Sequence, residues 1–178
     1  MNGYPVIASI TKEEQIALAL ASKVRRVNLM TGNINNLQSI IAQLHEGGKQ
    51  VYVHIEMVSG IGRDAHTIQF LAQEFKADGI VTTKSNAVSA AKQAGIFSIQ
   101  RIFAIDSAAV DTAVRMIKTY EPDEVELMPG LMPRVISEVR HKIKQPLIVG
   151  GLIRHDKEIK NALECGADFV SIGDSRFW

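Results

Sequence analysis

Two glycine turns late in this 178-residue chain have the makings of an anion site. The apolar run at residues 146–149 ends in Gly150-Gly151-Leu152. Further on, Gly166-Ala167-Asp168 leads through residues 169–172 into Gly173-Asp174-Ser175. Each time an apolar strand ends in glycine and a helix start follows. Glycine lets the backbone approach a ligand closely, and N–H groups at a helix start point at whatever sits there. Two ordinary strand-to-helix turns would read the same way singly. The pair and its spacing favour a phosphate cradle built from Gly150, Gly151, Gly173, Asp174 and Ser175.

Other polar residues stand where strands should end. His54 and Glu56 are two apart, so on a strand both side chains take the same face. An inward carboxylate needs a partner or a ligand, whereas His54 reads equally well as a satisfied core histidine. Lys84 closes Thr82-Thr83-Lys84 and is either a solvated residue opening the next helix or, if desolvated, an amine able to form a Schiff base; no second feature supports the latter. Gln100 and Arg101 face opposite ways, so only one can point inward, and Arg101 could serve a ligand or pair with Glu56 or Glu126. The candidate ligand-binding set is therefore Glu56, Lys84, Arg101 and Glu126. No acid and base are fixed on one reacting atom, so no catalytic residue is assigned.

Metal and cofactor chemistry find little support. His45, His54, His66, His141 and His155 form no His-x-x-x-His pair, and Cys165 packs as a small hydrophobe. Gly60-Ile61-Gly62 lacks the third glycine and later acid of a dinucleotide fingerprint. Neither a metal nor a cofactor is expected. Basic residues gather in two places: Lys23, Arg25 and Arg26 after the first expected helix, and Arg134, Arg140, Lys142 and Lys144 along the sixth. Cations at helix C-termini are expected from the macrodipole alone, and no aromatics interleave with them as an RNA-stacking platform requires. The second group is the candidate RNA contact.

The elements that must position these residues alternate. Strands are expected at residues 6–10, 26–30, 50–58, 79–83, 97–105, 124–128, 146–149 and 169–172. Between them apolar residues recur at helical spacing, as in Leu37, Ile40, Ile41, Leu44 and in Val110, Ala113, Val114, Ile117. Thr11 with Glu14 has capping-box spacing, Asp64 and Asp106 suit N-caps, and Gly47, Gly95 and Gly166 suit helix ends. Apolar strands each followed by a helix argue a covered parallel sheet. The pattern predicts a compact (β/α)8 TIM-type barrel with a truncated or missing last helix, since typical barrels run to about 250 residues. A doubly wound open sheet is the alternative, but polar residues end almost every strand rather than one switch point.

Composition sets the outer bounds. Hydrophobic residues make up 46%, charged residues 22%, and the net charge is +1, which argues against a dominant polyanion surface while leaving room for a local patch. A single barrel domain over residues 1–178 is expected. The lone cysteine, the absence of a recognisable signal segment and the lack of a bilayer-length apolar run predict a cytoplasmic protein with no membrane partner. A homo-oligomer stays open.

Several segments together resemble the glycerol uptake operon antiterminator regulatory proteins of Gram-positive bacteria. They are His54-Ile55-Glu56-Met57-Val58-Ser59-Gly60, Gly79-Ile80-Val81-Thr82-Thr83-Lys84-Ser85 and Gln100-Arg101-Ile102-Phe103-Ala104-Ile105-Asp106-Ser107. Val125-Glu126-Leu127-Met128-Pro129-Gly130, Pro146-Leu147-Ile148-Val149-Gly150-Gly151-Leu152-Ile153 and the terminal Trp178 complete the likeness. The resemblance implies a compact barrel that responds to glycerol 3-phosphate and acts on leader mRNA to prevent termination ahead of glycerol-utilisation genes. It places the phosphate on Gly150, Gly151 and the residues after the last strand, with Glu56, Lys84, Arg101 and Glu126 at the mouth. The family's last strand ends in small hydroxyl residues, whereas this chain reads Ile172-Gly173-Asp174-Ser175, which sets a carboxylate beside the expected phosphate unless Asp174 caps a short terminal helix. The competing reading is a phosphate-binding barrel enzyme: an isomerase, epimerase or glycerol-phosphate transferase.

Overall fold

Each expected strand pairs in parallel with its sequence neighbours until the last meets the first and the sheet closes. A computed structural model describes residues 4–178. The strands are β1 (Val6–Ile10), β2 (Arg26–Leu29), β3 (Gln50–His54), β4 (Gly79–Thr82), β5 (Phe97–Phe103), β6 (Glu124–Met128), β7 (Leu147–Gly150) and β8 (Phe169–Ile172). Helices α1 (Gln15–Ala21), α2 (Leu37–Glu46), α3 (Ala65–Gln73), α4 (Ser85–Ala94), α5 (Ser107–Tyr120), α6 (Pro133–Lys142) and α7 (Asp156–Glu164) follow the first seven strands. After β8 only a 3-10 turn, Ser175–Phe177, stands where the last helix of the barrel would be. The chain is a (β/α)8 TIM-type barrel with its final helix missing.

Local signals account for most element ends. Asp64 and Asp106 cap α3 and α5, each side chain accepting the N–H three residues on. Gly95 ends α4 in the left-handed region. The Thr11–Glu14 capping box does not form. Gln15 takes that role instead, its side-chain oxygen accepting from the Thr11 and Lys12 N–H groups, because Glu14 already has helical dihedrals. Four strands end earlier than their apolar runs suggest, β2 and β4 by one residue and β3 and β5 by more. β3 stops at His54, where the Met57 N–H turns back to the His54 carbonyl, and β5 stops at Phe103.

Side chains between sheet and helices form the main core, dominated by Val, Ile and Leu. Inside the barrel lies a smaller apolar group of Ile7, Tyr52, Val81, Ile99 and Ile148. Every strand is offset from the last in the same sense: Ser9 lies beside Asn28, Asn28 beside Tyr52, Arg101 beside Glu126, and Gly150 beside Ser171. Inward residues of alternate strands therefore stack in layers, the arrangement of a tilted closed barrel. At the N-terminal end Arg26 grips Glu124 through both guanidinium nitrogens, at 3.0 and 2.5 Å, and lies against the rings of Tyr52 and Phe169. That layer plugs one end of the barrel.

Candidate functional site

Above the apolar layer the barrel interior turns polar. Asn28, Glu126 and Ser171 occupy one level, and Ser9, His54 and Arg101 occupy the next toward the C-terminal mouth. All six are buried, Asn28 and Glu126 completely. Alternation along each strand puts them there: Asn28 follows Arg26 by two residues and faces inward with it, while Val27 and Leu29 join the outer core.

Of the pair Gln100 and Arg101, Arg101 points inward. Its Nε donates to Glu126 Oε2 at 2.7 Å, while Gln100 turns outward and donates to the Ser85 hydroxyl at 2.9 Å. Ser171 Oγ donates to the other Glu126 oxygen at 2.5 Å, so this carboxylate is satisfied on both sides. Arg101 reaches across to β2, where its Nη2 meets the Met30 sulfur at 3.5 Å. A thioether is a weak acceptor, so the guanidinium retains donor capacity toward the mouth.

Glu56 lies beyond β3, in the turn that carries it over the strand ends. Its Oε1 accepts from the Thr82 hydroxyl at 2.5 Å and from the Thr83 N–H at 3.3 Å. Its Oε2 sits 3.2 Å from His54 Nδ1, within ion-pair range but off the line of a hydrogen bond. Burial pushes the Glu56 carboxyl up, but the His54 ring, the Thr82 hydroxyl and the Thr83 N–H outweigh it and hold the group below the ordinary glutamate value. Lys84 caps the start of α4 at the edge of the mouth, and its N–H donates to Thr82 Oγ1. The structure thus gathers Glu56, Arg101 and Glu126 with His54, and leaves Lys84 at the rim.

On the opposite wall Gly150 is tightly packed, whereas Gly151 and Gly173 leave open backbone, a Cβ on either finding no atom closer than 3.6 Å. A methyl group on Gly150 would collide with Ser171 Oγ and crowd the Met128 side chain. Gly151 adopts φ +81°, where side chains are strained. Gly173 is exposed, its carbonyl fixed by the Gln15 amide at 2.8 Å. Asp174 takes the capping option: its carboxylate accepts from the Arg176 N–H and from the Arg176 guanidinium, at distances down to 2.6 Å. Those contacts, led by the guanidinium, lower the Asp174 pKa.

The four basic residues assigned to RNA sit on or just past α6, Lys144 lying beyond its end. Arg134 pairs with Glu138 and Lys142 with Asp111, while Arg140 bonds Asp168 and the Ile143 carbonyl. Among the described residues, Lys144 alone of these four has no carboxylate within 4 Å. With Lys118, Glu121, His141 and Lys142 it lines a groove of about 450 Å³ between the C-terminal ends of α5 and α6.

Asn28, Ser9 and Ser171 are site residues that the sequence pattern did not single out. Their signal was there: polar residues two apart from other inward-facing positions within otherwise apolar strands. Among the described residues no cluster of three or more potential metal ligands occurs, and no helix is long and apolar enough to cross a membrane.

Comparison with known proteins places this geometry in a lineage. Residues 6–178 match the profile of the family described as glycerol-3-phosphate responsive antiterminator. The protein YgcP of Escherichia coli is 33% identical over 174 residues, covering 98% of this chain and 91% of its own. The crystal structure of the glycerol uptake operon antiterminator regulatory protein from Listeria monocytogenes superposes with a TM-score of 0.95 at 29% identity, covering 100% of this chain and 96% of that one. An antiterminator-related protein from Thermotoga maritima gives 0.87 at 30% identity, covering 97% and 96%. With a profile match over nearly its whole length, this chain belongs to the glycerol-3-phosphate responsive antiterminator family.

Proposed function

We propose that this protein binds glycerol 3-phosphate at the C-terminal mouth and, so loaded, acts on leader mRNA to prevent transcription termination ahead of glycerol-utilisation genes. The observation that carries the ligand reading is the open backbone at Gly151 and Gly173, with Gly150 packed beneath it on Ser171, beside a buried polar ring. In this reading the phosphate rests on the backbone of Gly150, Gly151 and Gly173 and on Ser175, with Asp174 held away by Arg176 and shaping the turn. Arg101 supplies the nearest buried cation, Glu126 orients it, and Glu56 and Lys84 complete the rim. The action on RNA rests on family membership, and the groove that Lys118, Lys142 and Lys144 line is its proposed contact, with Arg134 and Arg140 elsewhere on α6.

The test is transcription in vitro across a terminator-bearing leader. Read-through that requires both protein and glycerol 3-phosphate, and not glycerol, supports the reading. Read-through indifferent to the ligand, or turnover of a sugar phosphate by the purified protein, transfers it to the enzyme alternative.

A further inference from the structure

Several buried polar atoms of the barrel interior have no hydrogen-bond partner among the described residues: both side-chain polar atoms of Asn28 and both ring nitrogens of His54, whose Nδ1 has only Glu56 Oε2 beside it, at 3.2 Å and off the line of a hydrogen bond. Asn28 is wholly buried and His54 is 3% exposed. A buried amide or imidazole left without partners is destabilising, so native proteins seldom leave two such side chains side by side. These two are diagonal neighbours. Asn28 pairs in register with Tyr52, and His54 stands two residues further along the same strand with the same inward facing. Side chains so related reach a common small molecule.

Their chemistry narrows what that molecule is. Asn28 offers one acceptor and an NH2 donor, and a neutral imidazole offers one of each. A phosphate oxygen accepts only, so it leaves the Asn28 oxygen and one imidazole nitrogen unmatched. A metal ion would want more ligands than this pair provides, and Arg101 stands nearby as a repelling charge. An alcohol hydroxyl both donates and accepts, and it suits each residue. The neighbouring charges Arg101 and Glu126 already balance one another, and Glu56 beside His54 disfavours a further anion. The surroundings of Asn28 and His54 therefore suit an uncharged group.

We infer that Asn28 and His54 form a buried hydroxyl-reading subsite, in which the polyol end of a small phosphorylated ligand enters the barrel while its phosphate stays at the backbone of Gly151 and Gly173. The inference rests on the ligand reading proposed above and assigns the specificity for hydroxyls to two residues outside that phosphate grip.

The test compares glycerol 3-phosphate with propyl phosphate, which keeps the chain and phosphate but lacks both hydroxyls, by calorimetric titration of the whole protein. Wild type is expected to prefer glycerol 3-phosphate by about 10- to 100-fold, the effect of leaving one or two buried polar groups unpaired. Asn28→Leu, near-isosteric, should bring glycerol 3-phosphate down to the propyl phosphate level and leave propyl phosphate unchanged. His54→Leu should behave alike, and it serves if Asn28→Leu does not fold. Equal wild-type affinities for the two ligands, or full preference retained in the variants, overturn the subsite and leave the phosphate grip standing. Wild-type protein that binds neither ligand overturns the function reading and the subsite with it.

Discussion

Arg101 and Glu126 carry opposite charges inside a barrel where neither could stand alone. Removing one partner of such a buried pair typically costs about 3–5 kcal/mol, whereas replacing both with apolar residues is often neutral. Glu126→Leu should therefore destabilise strongly, and Arg101→Met with Glu126→Leu should recover most of the loss, as read from urea denaturation midpoints. A double variant as unstable as the single would show that Ser171 and Met30, rather than the ion pair, set the cost. Glu56 makes a pH-dependent contribution of its own. Its folded-state pKa lies below the ordinary value, so the stability it adds is present above the unfolded-state pKa and lost as pH falls through the folded one. Glu56→Gln should cost about 1.5–3 kcal/mol near neutrality, the worth of hydrogen bonds to a charged group. The difference from wild type should shrink at about pH 3, where the carboxyl is protonated in the unfolded chain and increasingly so in the folded one. A cost independent of pH would mean that the Thr82 contact works equally well with a neutral acid.

At the scale of elements, the alternation of strand and helix was plain in the sequence because each strand is buried on both faces and each helix carries a single apolar stripe. The strand ends were less legible. Residues 55–58 read as strand because Ile55 and Val58 are apolar, yet both are buried beyond β3, under the turn that lifts Glu56 into place. Alternation sets Asn28 on the face of Arg26, a signal the sequence carries, but which of the two faces turns inward is settled only by closure of the barrel, and so it went unread while the polar strand ends did not. The basic residues of α6 are the opposite case. Their types suggested a polyanion surface, but their partners Glu138, Asp111 and Asp168 lie far away in sequence or one helical turn along, and three of the four charges are engaged. If RNA meets this face, the lysines of the neighbouring groove should matter most. Lys118→Glu with Lys144→Glu should weaken leader binding at low salt and reduce the salt slope by about two, one for each phosphate no longer neutralised. An unchanged slope would move the RNA interface to another face.

At the scale of the molecule, the missing last helix leaves the β8–β1 ladder covered on its outer side only by small contacts. The Trp178 indole donates to the Ile172 carbonyl at 2.8 Å, the Tyr4 hydroxyl to the Phe177 carbonyl at 2.8 Å, and Gln15 to the Gly173 carbonyl. The proposed phosphate site lies on this seam, so a ligand gripping both β7 and β8 loops ties together the part of the barrel with the least helical cover. Ligand binding should therefore register as global stability. A ligand that binds only the folded state at 100 times its dissociation constant adds about 2.7 kcal/mol. For a domain of this size that amounts to a rise of roughly 5–11 °C in Tm. Glycerol 3-phosphate should produce it and glycerol should not, because glycerol lacks the group that the glycine backbone holds. Gly151→Val should abolish most of the shift, since a β-branched residue at φ +81° cannot keep the backbone where the phosphate needs it. The variant will also melt lower without ligand, so the ligand-induced difference within each protein is the quantity to compare. A full shift retained in Gly151→Val would place the phosphate away from the β7 loop, and an equal shift with glycerol would show that the polyol alone is bound.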